Sequence, residues 1–225
     1  MKKTALILFA ALFTFALQAQ AQTQLKGGIR AGLNMATWGG DAVASFGDLM
    51  ETTGAFEMEM KPDFHVGAYL QVPLSQTFSL EPGLYYSGKG TRVTQTFFSN
   101  DFIKPRVTLT DNAHYIEMPV LLRANLTPGL QLFAGPQVAY LVENRVKAEA
   151  GIFGASYEYD FEANPGLRKF DFGLTGGVGY EFVNGINLQA GYDWGLSTLD
   201  EGNSNVQAFN RVAKVSLGYT FGKGK

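Results

Sequence analysis

Residues Ala213 to Phe221 read AKVSLGYTF. Val215, Leu217, Tyr219 and Phe221 fall on one face; Lys214, Ser216, Gly218 and Thr220 fall on the other. Strict alternation with a period of two marks a strand that has one apolar and one polar face. One such strand fits many folds, but upstream the pattern recurs seven times. The segments are Leu25 to Met35, Phe64 to Leu74, Thr77 to just past Gly90, His114 to Leu126, Leu130 to about Lys147, Phe170 to Phe182 and Ile186 to Leu196. No segment after Leu17 has a helical period or a long apolar run. The mature chain therefore reads as all-β.

The connections alternate in length. Ser75-Gln76, Thr127-Pro128-Gly129 and Asn184-Gly185 are tight turns, with Pro and Gly supplying turn geometry and Asn-Gly the strongest hairpin signal. Long connections run over residues 36–61, 97–106, 148–167 and 200–205, each without a sustained pattern. Long and short loops must then lie at opposite ends, as in an eight-stranded antiparallel up-and-down transmembrane β-barrel. Strands of about 10 residues suit a tilted crossing of the bilayer.

Alternation alone leaves open which face points inward, because a soluble eight-stranded barrel alternates too. Glycine on the polar face decides it. Gly28, Gly32, Gly67, Gly83, Gly135, Gly173, Gly177, Gly179 and Gly191 all lie there. Glycine weakens a solvated strand but suits a narrow lumen crowded by large side chains. Aromatic residues at the ends of the apolar faces (Phe78, Tyr86, Tyr180, Phe182, Tyr192, Trp194, Tyr219, Phe221) suit interfacial girdles.

With the polar face inward, its charges must pair in a nearly dry interior. Glu81 lies three residues above Phe78 and Arg123 three above Leu126, counted from the short-turn end. Asp193 lies seven above Ile186, and Lys214 seven above Phe221. The expected lumen ion pairs are Glu81–Arg123, with Arg30 and Glu117 joining them, and Asp193–Lys214.

Residues 1–21 read as a secretory signal peptide: Lys2 and Lys3, the apolar run ALILFAALFTFAL, then Ala19-Gln20-Ala21. That run is too short for the roughly 20 residues of a spanning helix. A single barrel domain is expected over residues 22–225. Removing Lys2 and Lys3 takes 18 basic residues to 16 against 20 acidic, a formal charge of −4. With no basic run, nucleic acid is not an expected partner. The chain has no cysteine, which excludes disulfides, thiol catalysis and a lipoprotein anchor.

Three motifs, LEPGLYYSGKG (Leu80 to Gly90), YIEMPVLLR (Tyr115 to Arg123) and DFGLTGGVGYEF (Asp171 to Phe182), resemble the PorT-like outer-membrane β-barrel family of Bacteroidota, over essentially the whole mature chain. The resemblance implies an eight-stranded barrel in the outer membrane, inserted by an assembly machinery that recognises an aromatic-ended final strand. Lys214, Ser216, Tyr219 and Phe221 sit where that insertion signal wants a polar residue, a glycine and two hydrophobics. Ser216 replaces the glycine, and Gly222 to Lys225 trail beyond the usual terminal aromatic.

No catalytic residues are assigned. The two histidines, His65 toward the lumen and His114 outward, read as structural. No G-x-S-x-G elbow or triad accompanies them. Asp171-Phe172-Gly173 and Gly177 to Gly179 mimic kinase and nucleotide motifs but lack the strand-to-helix context those need. Glu57, Glu59, Asp63, Glu158 and Asp160 read as solvated loop residues. No cofactor or metal is expected. The leading functional expectation is a non-enzymatic, monomeric platform that is embedded in outer-membrane lipid and presents surface loops to a ligand the sequence does not name. A narrow pore or secretion accessory is the alternative, with a lipid-modifying enzyme third.

Overall fold

The structure, a computed structural model, describes residues 25–40, 54–97, 106–152, 155–162, 168–199 and 207–222. The signal peptide expected at residues 1–21 lies outside the described residues. Eight strands close a ring: β1 (Lys26–Gly39), β3 (Lys61–Pro73), β4 (Phe78–Lys89), β6 (Arg106–Asn125), β7 (Leu130–Ile152), β9 (Phe170–Glu181), β10 (Ile186–Gly195) and β11 (Phe209–Thr220). Three further strands, β2 (Gly54–Glu59), β5 (Arg92–Phe97) and β8 (Ala155–Glu162), lie outside it. All pairings are antiparallel. The ring closes where β1 meets β11, from Gly28 opposite Thr220 to Gly39 opposite Phe209.

The usual order of a folded domain is inverted. Arg30, His65, Glu81, Lys89, Glu117, Arg123, Asp171 and Asp193 are buried in the ring. Leu33, Leu84, Leu174, Val215 and Leu217 are at least half exposed on its outside. Only a bilayer makes that favourable, by covering the apolar faces. Two aromatic girdles bound the apolar band. At the short-turn end, Tyr180 packs on Phe182 and Tyr219 on Phe221, with ring centroids 4.9 and 5.4 Å apart. At the other end Tyr86 stacks on His114 at 5.4 Å, Tyr140 packs on Phe170 at 5.1 Å, and Tyr192 packs on Trp194 at 6.1 Å. His114 thus belongs to the outward girdle.

Lumen glycines are seats for lumen aromatics. A Cβ at Gly177 would collide with the Ala190 carbonyl and lie 2.7 Å from the Phe133 ring; one at Gly67 would collide with the Leu84 carbonyl and lie 2.6 Å from the Tyr85 ring. These rings occupy the space a side chain at the glycine would take.

Several expected boundaries move. The strand expected past Gly90 breaks there into β4 and β5, because Gly90 adopts φ +127 and re-aims the chain. Its Cβ would meet the Asp111 carbonyl. Segments read as loops carry β2 and β8, so Glu57, Glu59, Glu158 and Asp160 lie in strands and Asp63 in β3. Strands β6 and β7 run for 20 and 23 residues, about twice the 9–11 residues a crossing requires. Their excess rises beyond the upper girdle. There β6 and β7 become the centre of a five-stranded sheet in the order β2-β5-β6-β7-β8.

The glycine seats make a paired prediction. Gly177→Ala, facing the lumen, should lower stability by about 1–3 kcal/mol through overpacking. Gly176→Ala faces outward with ordinary contacts at 3.4 Å and beyond, so it should change stability by less than about 1 kcal/mol. Urea-unfolding midpoints in lipid vesicles read both; equal effects would refute the seating.

Candidate functional site

The lumen is filled in two tiers. In the lower tier, nearer the short turns, Glu81 is held between two guanidinium groups. Arg30 Nη1 donates to Glu81 Oε1 at 2.9 Å; Arg123 Nη2 donates to the same oxygen at 2.8 Å, with its Nε 2.6 Å from Oε2. Gln71 donates to Glu81 Oε2 at 3.2 Å, and Arg30 donates to the Tyr85 hydroxyl at 2.8 Å. Arg123 also donates to Gln131, which donates to Glu181. Arg30 lies over the Tyr69 ring at 4.0 Å and Arg123 near the Phe133 ring at 5.1 Å. Asn187 donates to Tyr69 Oη, itself hydrogen-bonded to Thr220. Every strand of the ring contributes at least one residue to this tier.

The upper tier centres on Glu117. Lys89 Nζ lies 2.8 Å from its Oε1 and Lys214 Nζ 2.6 Å from its Oε2. Lys214 also reaches Asp193 at 2.6 Å, and Lys89 reaches Asp171 at 3.4 Å. Ser197 and Asn210 each donate to Asp171 at 2.8 Å. Beside the tier, Asn34 donates to the Gly88 carbonyl at 2.8 Å, which turns its Oδ1 toward His65 Nδ1 at 2.7 Å. His65 Nδ1 must then carry the proton, so Nε2 accepts from the Ser216 hydroxyl at 2.8 Å. Between the tiers remains a cavity of about 50 Å³, bordered by Tyr85, Phe133, Gln189 and Asp193, enough for a few waters.

Of the residues expected to pair, the structure brings Arg30, Glu81 and Arg123 together, and likewise Asp193 and Lys214. Both contacts run diagonally. Glu81 lies level with Leu121 while Arg123 lies level with Ser79, and Lys214 lies level with Gly191 while Asp193 lies level with Val212. Long side chains cover this two-residue offset. Glu117 is a correction: it does not join Glu81 but anchors the upper tier. It sits level with Tyr85, six residues up β6 from Arg123, which is about 20 Å of strand. Lys89 was missed, though its odd-numbered parity with Glu81, Tyr85 and Ser87 carries the signal. Ser216 faces inward to His65, whereas Tyr219 and Phe221 face outward in the lower girdle. Among the described residues no group of carboxylates and histidines is arranged to hold a metal ion.

A family model described as outer membrane protein beta-barrel domain matches residues 18–201. The chain belongs to that family. Its place is the outer membrane. Among solved structures, the chain is similar to Ail, the attachment invasion locus protein of Yersinia pestis: 12% identity over 87% of this chain and 98% of that one, TM-score 0.44. It is also similar to Neisserial surface protein A, at 10% identity over 86% and 96% of the two chains, TM-score 0.42. A search of curated proteins found no match.

The lower tier supplies a stability prediction. Glu81→Ala leaves Arg30 and Arg123 buried without their shared anion, a loss of about 3–5 kcal/mol. Unfolding in lipid vesicles should show it; a midpoint equal to that of the parent would overturn the lower tier as a structural keystone.

Proposed function

We propose that this protein is a closed, non-enzymatic platform that holds a binding sheet above the outer membrane. The observation carrying this reading is the contrast between the two ends of β6 and β7. Inside the bilayer their side chains belong to a lumen packed with ion pairs and rings. Beyond it, the same strands continue for about as many residues again and recruit β2, β5 and β8. A pore would need a continuous polar path, yet Arg30, Tyr85, Arg123 and Phe133 fill the cross-section below the cavity and Lys89, Glu117 and Lys214 fill it above.

Within this reading the PorT-like resemblance is the finer family assignment. Tyr219 and Phe221 on the closing strand, with Lys214 and Ser216 behind them, act as the signal read by the outer-membrane assembly machinery. The protein works as a monomer surrounded by lipid.

Two measurements test the platform. Reconstituted in planar bilayers, the protein should pass no steady current; sustained open channels would instead establish the transport reading. Because the chain has no cysteine, single-cysteine variants report topology cleanly. Tyr159→Cys in β8 should react with a membrane-impermeant maleimide on intact cells, and Asn184→Cys in a short turn only after permeabilisation. The reverse pattern would place the sheet in the periplasm and end the surface-binding reading.

A further inference from the structure

We propose that Asp111 is a proton-dependent latch: its neutral carboxyl fastens the branch made of β5 and β2 to the wall of β6, and loss of the proton loosens that branch. The inference goes beyond the platform reading. It concerns how the branch is held, not what the sheet binds or on which side of the membrane it stands.

The latch sits where the chain leaves the barrel. Strand β4 ends at Lys89, Gly90 turns the chain with φ +127, and Thr91 leads into β5. Asp111 of β6 packs against that turn. Its backbone N–H donates to the Thr91 carbonyl at 2.9 Å. A Cβ at Gly90 would collide with the Asp111 carbonyl and lie 3.2 Å from Asp111 Oδ2. Both Asp111 and Thr91 are buried. Asp111 stands three residues beyond His114 of the upper girdle, about 10 Å of strand, and so lies outside the membrane-spanning band. Among the described residues β2 joins the sheet through β5 alone, so a contact that holds the start of β5 holds the whole branch.

The surroundings of the carboxyl suit its neutral form. Lys61 of β3 is the cation that faces it, but the Lys61 ammonium is held elsewhere, by Asp63 Oδ2 at 2.5 Å and the Lys89 carbonyl at 3.1 Å. Lys89 in turn lies between Glu117 and Asp171. Strand β7 brings no charge to this face at this level: Val146 lies opposite Asp111, and Asn144 lies diagonally beside it. Glu59, Arg92, Glu143, Arg145 and Lys147 belong to the reverse face, level with Thr110, Asn112 or His114. Both polar atoms of the Asn144 amide and Thr91 Oγ1 are buried without a hydrogen-bond partner. A neutral carboxyl can donate its O–H to Asn144 Oδ1 and accept from Asn144 Nδ2, whereas a carboxylate can only accept. Burial without a paired cation also disfavours the charged form.

The direction of the pH effect follows. Desolvation, opposed by Lys61 and Asn144, pushes the Asp111 carboxyl up to about 6, from an ordinary value of about 3.9. The closed latch therefore holds a proton that an opened, hydrated latch gives up. The closed form has its full advantage below about pH 4, loses it as the pH rises to about 6, and stays at the weaker level above that. The branch is tight in acid and looser at neutral pH.

The test uses the full mature chain in lipid nanodiscs. Amide exchange, corrected for the intrinsic effect of pH, should show residues 92–97 about 20-fold less protected at about pH 7.5 than at about pH 4.5. Residues 186–195 of β10, inside the ring, should be equally protected at both. Asp111→Asn keeps an uncharged group of the same reach, so its protection in β5 should no longer depend on pH. Carbon-13 NMR of aspartate side chains reads the latch directly: the Asp111 carboxyl of the parent, assigned through its own backbone amide, should titrate near pH 6. That measurement decides the matter even if the variant fails to fold. A midpoint below about 4.5, pH-independent protection of β5 in the parent, or a pH dependence that survives in Asp111→Asn would each overturn the proposal. None of these outcomes bears on the platform, which conductance and labelling test separately.

Discussion

A chain that crosses a bilayer as strands must close on itself, because lipid offers no partner to an unpaired backbone N–H or C=O. Here the first and last strands of the ring meet that demand, with β1 and β11 paired from Gly28–Thr220 to Gly39–Phe209. Most of the molecule follows from the closure. Eight strands leave a lumen only as wide as its side chains. Whatever polar groups face inward must then satisfy one another, since little water can enter.

The two tiers are the consequence. Glu81 holds two guanidinium groups and Glu117 two ammonium groups, so each carboxylate links strands that lie apart around the ring. Buried ion pairs contribute little net stability when compared with apolar packing, but breaking one is costly. Their role in this barrel is to fix one arrangement of eight strands. Aromatic rings seated on glycines complete the filling, and the resulting stiff base lets β6 and β7 run beyond the membrane as the centre of a second sheet.

Outside the bilayer the closure constraint disappears, because water can satisfy a free strand edge. Among the described residues the sheet beyond the membrane therefore ends unpaired at β2 and β8, and its chemistry changes with its surroundings. The rows of this sheet mix Thr, Lys, Arg and Glu with apolar residues, one row running from Met58 through Val93, Leu109 and Ala148 to Tyr159. Below the girdle, the strands are divided sharply between lipid-facing and lumen-facing sets.

Residues with a strict period were legible from the sequence. Val215, Leu217, Tyr219 and Phe221 announce a lipid-facing strand, and the glycines opposite bulky lumen residues give its inward side. Parity alone also places Glu81, Arg123, Asp193 and Lys214 inside. Their partners depend on height as well as face, and height depends on strand tilt and stagger. Glu117 shows the difference: parity puts it in the lumen, but only the register lifts it away from Arg123 and beside Lys89 and Lys214. Segments 54–59 and 155–162 read as loops because each is short and has no tight turn to mark it, whereas 92–97 reads as the tail of the strand that passes Gly90. Strands β5 and β8 exist through pairing with the long arms of β6 and β7, and β2 through pairing with β5, which is a non-local property. The sequence by itself thus determined the closed barrel and its inside and outside, since a period of two is local and the bilayer sorts its faces. The tertiary structure decided which charges meet and how far the sheet extends beyond the membrane, because those depend on residues that only the closed ring brings level.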